Sequence, residues 1–246
     1  MILKKQIYIV IVLFSVAIQA QKTGQLKPTK HISVAVPEPS DICYDSKNDT
    51  FYMVSDKGKI FETDKDCKVL RKHKEKGHDF EAVYADGTFV YAVDESNRTI
   101  YKYNSKSFKL VHSTTIPYYG ARNKGYESFD FDPINKKFIL ITESNPIMLF
   151  ELDTDFKVTG QTDLSDIAED ISSARFHNGF LWLLSDEDAM LLQLNTSTYE
   201  VIQKWSLPLI NPEGLVFDKE GNLLIACDDM QRVYYFNNPE KNENEK

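Results

Sequence analysis

The sequence predicts an all-β fold: a five-bladed β-propeller with four antiparallel strands per blade. Three observations carry this. One pattern recurs five times, with starts separated by 41, 46, 45 and 41 residues. Each recurrence holds short apolar runs divided by turn residues, and no 10–15-residue helical pattern lies between them, which disfavours a parallel α/β fold. Aromatic residues are abundant, with 13 Tyr and 15 Phe against 10 Gly and 9 Pro, and such residues suit pleated, half-buried surfaces. Four strands in a 40–45-residue unit is the arithmetic of a propeller blade.

The elements follow in chain order. Lys4 and Lys5 precede an apolar run from Ile7 to Ile18, and Ala20 offers a small residue before Gln21. A basic start, a short apolar stretch and a small-residue end read as a secretory signal peptide over 1–20. The run is shorter than the roughly 20 residues that span a bilayer. Residues 21–30 are expected to be a linker and 31–238 the propeller. Within it, Ile32-Ser-Val-Ala-Val36 supplies the outer strand that the last repeat lacks, so the ring closes without an exposed edge.

First strands open at Ser40, Glu81, Glu127, Ser172 and Glu213. Turns rich in Asp, Asn, Lys or Gly follow them, as at Asp86-Gly87 and Asn178-Gly179, and mark hairpins. Second strands are almost continuously apolar, for example Phe138-Ile-Leu-Ile-Thr142, so burial on both faces is expected. Third strands are Ile60-Phe61, Ile100 to Tyr103, Met148 to Leu152, Leu191 to Leu194 and Val233 to Phe236. More polar fourth strands surround Val69, Leu110, Val158 and Val201. The segment Thr162 to Ser172 is read as a short helical turn, and 239–246 as a disordered tail.

Composition narrows the function classes. With 42% hydrophobic and 27% charged residues over 246 positions, the chain is too apolar to be disordered. A net charge of −8 argues against nucleic acid, which demands clustered Lys and Arg. Removing residues 1–20 takes away two lysines and no acid, leaving −10. Cys43, Cys67 and Cys227 are too scattered for a zinc ribbon or a disulfide framework, and three buried thiols are expected.

The repeats align the acids into two columns. One is Ser40, Glu81, Glu127, Ser172 and Glu213; the other is Asp56, Glu95, Glu143, Asp186 and Asp229. A hairpin returns to the end it left, so both columns are expected on one face, near the axis. Two like charges about 8 Å apart repel by roughly 2 kcal/mol at an effective dielectric near 20. Several around one axis raise their pKa values or demand a cation. Calcium is the natural candidate, since it takes 6–8 oxygen ligands with loose geometry. Zinc is disfavoured because neither column contains His or Cys. Asp130 and Arg175 share a column in adjacent repeats, and an inter-blade ion pair between them is expected.

Pro212-Glu-Gly-Leu-Val-Phe-Asp218, His78-Asp-Phe-Glu-Ala-Val83 and Gly125-Tyr-Glu-Ser-Phe129 resemble the repeats of the SdiA-regulated (YjiK-like) proteins. Those are exported or membrane-associated bacterial five-bladed propellers, distantly similar to NHL-type propellers. The likeness covers about residues 32–237. It implies a bound calcium ion, with Glu81, Glu127 and Glu213 as ligands; the second column adds Glu143 and Asp229. His78, Glu95, Asp186 and Asp56 are read as further residues of the ligand face. The sequence departs from the pattern at Ala82, Ser128 and Ser173, where Gly is replaced, and at Ser40, where Glu is replaced.

No GxSxG, HExxH, P-loop or GxGxxG motif appears. The preferred reading is an exported, monomeric calcium-binding propeller, periplasmic or secreted, that binds a small molecule or an envelope protein. Two alternatives stand beside it. One is a calcium-dependent hydrolase of the lactonase or esterase type, in which an axial ion polarises a substrate oxygen. The other is an envelope-tethered scaffold, membrane-associated through an uncleaved N-terminal segment.

Overall fold

The computed structural model describes residues 23–73, 78–120 and 124–241. The signal-peptide reading of 1–20, Gly77 beside His78, and most of the polar tail fall outside the described residues.

Every regular element among the described residues is a β-strand. The chain begins with β1 (Thr23–Gln25) and β2 (Lys30–Ser33). Blade one holds β3 (Pro39–Asp45), β4 (Thr50–Ser55), β5 (Lys59–Thr63) and β6 (Val69–Lys72). Blade two holds β7 (Phe80–Ala85), β8 (Phe89–Asp94), β9 (Thr99–Asn104) and β10 (Leu110–Thr115). Blade three holds β11 (Tyr126–Asp132), β12 (Lys137–Thr142), β13 (Met148–Leu152) and β14 (Val158–Asp163). Blade four holds β15 (Ser173–His177), β16 (Phe180–Ser185), β17 (Met190–Asn195) and β18 (Val201–Ser206). Blade five holds β19 (Pro212–Phe217), β20 (Leu223–Cys227) and β21 (Arg232–Phe236), completed by β2.

Each blade is an antiparallel meander, and the first strands form the inner ring. β3 touches β7 and β19, β11 touches β7 and β15, and β15 touches β19. The fold is the five-bladed propeller that the repeat pitch predicts. The ring closes through Lys30–Ser33 against Arg232–Tyr235, a register slightly upstream of the expected Ile32–Val36.

Turn chemistry explains the recurring acid at strand ends. Asp45, Asp86, Asp132 and Asp218 each end or follow a first strand. Their carboxylates accept backbone N–H groups of the hairpin, as Asp86 Oδ1 does from Thr88 and Phe89 at 2.8 Å. The side-chain oxygens of Asp64, Asn104, Asp153 and Asn195 accept backbone N–H groups in the same way at the ends of third strands. These are Asx turns, in which a short side chain stands in for a backbone acceptor.

Second strands are buried throughout after their first residue, as the continuous apolar runs predict. Hydrophobic clusters fill the seams between blades. One such seam stacks Trp182 on Trp205 at 5.3 Å, with Phe217 at 5.1 Å from Trp182. Cys43, Cys67 and Cys227 are free and buried.

Two features of the interior and the chain start differ from the sequence reading. The expected linker contains β1, which pairs in parallel with the outer edge of β18. Gly24 permits this, because a Cβ there would lie 2.4 Å from Trp205 Cδ1. The short turn expected within Thr162 to Ser172 is a single turn, with Ile167 N donating to Leu164 O, and it begins only after β14, which runs to Asp163.

The second difference is at the axis. Arg175 is not ion-paired to Asp130. Its Nη2 donates to Asp41 Oδ2 (2.6 Å), Ile42 O (2.6 Å) and Val83 O (3.1 Å), and its Nη1 to Ala174 O (2.6 Å) and Phe129 O (3.4 Å). Asp41 also accepts Ser173 Oγ (2.9 Å) and Val83 N (2.8 Å), and Ser173 Oγ accepts Leu215 N (3.2 Å). Residues from all five inner strands thus meet in one buried network. Asp130 instead accepts Phe176 N at 2.6 Å. Burial pushes its carboxyl up to about 6, and the nearby Arg175 charge offsets part of that. Alignment by column sees neighbouring blades, whereas a long side chain on an inner strand crosses the axis.

Gly214 belongs to the same centre. A Cβ there would meet Asp41 Cα at 2.8 Å and Ile42 N at 2.9 Å, both backbone atoms. Gly214→Ala is expected to cost about 1–3 kcal/mol by overpacking. A urea midpoint equal to that of the parent chain would refute this.

Candidate functional site

First strands enter the ring through a shared irregularity. The ladder skips one residue between Pro39 and Asp41, Phe80 and Ala82, Tyr126 and Ser128, and Pro212 and Gly214. The skipped residues are Ser40, Glu81, Glu127 and Glu213, the first acid column. A β-bulge re-aims its extra side chain, and here it aims each one at the axis. Ser172 stands just before β15 in the fourth blade, with its Oγ donating to Pro212 O at 2.9 Å.

These residues line one cavity of about 290 Å³ together with Asp56, Glu95, Glu143, Asp186 and Asp228. Both columns therefore share one face, as the hairpin argument requires, with one exception. Asp229 is outside the cavity, and its Oδ2 accepts Asn211 Nδ2 at 2.7 Å. Asp228 takes its place because β20 ends at Cys227, and the next residue turns inward as Asp56, Glu95, Glu143 and Asp186 do. Alignment of the columns selected the wrong neighbour by one residue.

His78 is also outside the cavity. Its Nδ1 hydrogen-bonds Asp94 Oδ2 at 3.0 Å, and its ring stacks on Phe80 at 4.8 Å. It packs against the Phe80 and Tyr101 rings of its own blade rather than lining the acidic cavity.

The sequence reading missed Glu38, Asp170 and Glu187, which line the cavity too. Glu38 and Asp170 lie two residues before Ser40 and Ser172. Asp79, at the same offset from Glu81, shows that a third column was legible. Asp170 has a scaffolding role: it accepts Ser185 Oγ (2.5 Å), Asp186 N (3.2 Å) and Glu187 N (3.1 Å).

No Lys or Arg is among the described residues lining the cavity. Lys57 reaches Glu38 and Asp56 from one side, and Lys124 reaches Glu143 from another, at 3.2 Å. Such crowding acts on the protons. Burial, then neighbouring carboxylates such as Glu81 and Glu95, hold Glu127 well above the ordinary range. Burial does the same to Glu81, against a hydrogen bond from Ser40. Glu213 is pushed up to about 8 by burial and by the charges of Asp186 and Asp228. Burial raises Asp186 to about 6, with Asp170 adding to it.

Three of these side chains come close enough to share an ion. Glu95, Glu127 and Glu143 each offer a carboxylate oxygen, and the three oxygens lie within 4.8 Å of one another. The donors are all hard oxygens, the set that calcium takes.

The SdiA-regulated family model matches residues 17–236. The chain belongs to the SdiA-regulated family. No curated protein matches the sequence. Among solved structures, this SdiA-regulated propeller is similar to Myxococcus xanthus glutaminyl cyclase, with a TM-score of 0.71 and 12% identity over 87% of this chain and 97% of the cyclase. It is also similar to the Swd1 β-propeller domain of Myceliophteria thermophila, with a TM-score of 0.51 and 12% identity over 83% of this chain and 66% of that one. At such identity the likeness is one of fold.

Proposed function

We propose that this SdiA-regulated protein is an exported calcium-binding propeller whose acidic face binds a ligand or partner. The observation that carries the reading is the approach of Glu95, Glu127 and Glu143 oxygens to within 4.8 Å, in a cavity without a basic residue among its described lining. A bound divalent cation would offset the repulsion that, together with burial, holds the Glu95 and Glu127 carboxyls above their ordinary range. Glu95, Glu127 and Glu143 would hold the ion. Glu81 and Glu213 face the same cavity and remain available to it or to a ligand. The ion would supply charge and an oxygen-seeking centre for whatever docks there. The hydrolase alternative needs a base beside the ion, and the imidazole nearest in sequence, His78, is turned to Asp94 and Phe80.

Calcium titration by calorimetry tests the site on protein purified without chelator. The parent chain should bind the ion, and Glu127→Gln should weaken binding tenfold or more. An unchanged dissociation constant in that variant would sink the ligand assignment. Export with cleavage predicts that intact mass lacks residues 1–20, and their retention would favour the tethered alternative.

A further inference from the structure

The segment from Lys124 to Glu127 organises the three carboxylates that approach one another. Lys124 Nζ donates to both oxygens of Glu143, each at 3.2 Å, and to Ser144 Oγ at 2.9 Å. The next residue, Gly125, gives its N–H to Glu95 Oε1 at 2.8 Å, and its carbonyl accepts Glu143 N at 3.2 Å. Glu127 itself stands two residues further on. One dipeptide therefore fixes both partners of Glu127, and it brings an ammonium into the arrangement.

We infer that Lys124 is a built-in counter-ion that competes with the divalent cation for Glu143. This rests on the calcium reading and specifies how that site is regulated. Both Glu143 oxygens are engaged by the ammonium, so a cation that takes one must share or displace it. With a side chain about one-third exposed, Lys124 can swing to solvent when displaced, at little desolvation cost. Without a divalent ion, the same ammonium relieves repulsion among Glu95, Glu127 and Glu143. The residue thus supports the metal-free form and opposes the metal-bound one. A residue that merely packs would not act with opposite signs on the two forms.

The decisive variant is Lys124→Met, which keeps the length and removes the charge. It should bind calcium about tenfold more tightly, the order expected from removing one unit charge a few ångströms from a divalent ion in a water-like dielectric. In chelator the same variant should melt about 3 °C below the parent chain. Lys124→Arg keeps the charge and should hold the dissociation constant within about twofold. Calorimetry with calcium chloride reads the affinities, and melting in chelator reads the metal-free form. Unchanged or weaker binding by Lys124→Met, while the parent chain binds calcium, would overturn the competition alone. A parent chain that binds no calcium would overturn the metal reading and this inference with it.

Discussion

Arg175→Met should be the most damaging single substitution in this protein, costing about 3–5 kcal/mol of stability. Arg175 is 4% exposed and Asp41 is fully buried. Burial pushes the Asp41 carboxyl up, and the Arg175 charge pulls it part of the way back. Removing the guanidinium strands that carboxyl in a low dielectric. It also deprives the carbonyls of Ile42, Val83 and Phe129 of a donor they share, and each buried unpaired group costs about 1–3 kcal/mol. Lysine should not rescue, because one ammonium cannot reproduce the planar fork that spans four strands. The double variant Arg175→Met with Asp41→Leu should recover much of the loss, since it removes both charges together. Urea denaturation of the parent, the two single variants and the double variant measures this. A cost below about 1 kcal/mol for Arg175→Met would show that the hub is incidental.

The second large effect is in pH. In chelator, the protein should be most stable near pH 5 and should weaken steadily toward pH 8. The sign follows from the raised carboxyls. Glu213 at about 8 and Asp186 at about 6 hold protons in the folded state, and Glu81 and Glu127 lie well above the ordinary range. In the unfolded chain all four titrate near 4. Between pH 4 and 8 the folded state therefore binds more protons, and stability falls as pH rises. Most of the loss should come from the deeply buried Glu81, Glu127 and Glu213, where each tenfold difference in proton affinity between folded and unfolded chains is worth about 1.4 kcal/mol, while the more open Asp186 adds little because solvent screens it. Calcium requires the ionised forms, so its stabilising effect should be small at pH 5 and large at pH 8. Melting curves across that range, with and without the ion, decide it. A chelated protein whose stability rises from pH 5 to pH 8 would contradict the assignment of protonated acids to this cavity.

Much of this architecture is legible from residue order. The five-fold pitch survives because each blade needs the same four strands and the same Asx turns, so Asp45, Asp86, Asp132 and Asp218 return in register. The acid columns are legible for the same reason. What escapes is whatever depends on one residue of strand length or on contacts across the axis. Asp228 and Asp229 look alike in sequence, and only the end of β20 at Cys227 separates them. The bulges that aim Ser40, Glu81, Glu127 and Glu213 leave no compositional mark. His78 sits beside the site in sequence, yet its aromatic neighbours Phe80 and Tyr101 claim it. Arg175 meets Asp41 across 134 positions, a pairing that repeat alignment cannot suggest.

The closing strand also constrains how the chain can assemble. β2 is made early but has no partner until Arg232–Phe236 arrives, so its hydrogen-bonding edge waits for nearly the whole chain. Blades one to four can form locally, each from consecutive hairpins. The last requires a loop of about 200 residues to close, an entropic cost that rises only slowly with length but delays folding. Until that moment the inner ring is an open arc with two unpaired ends, the state most exposed to wrong partners. Completion of the circle is therefore the step at which this protein commits to its native form.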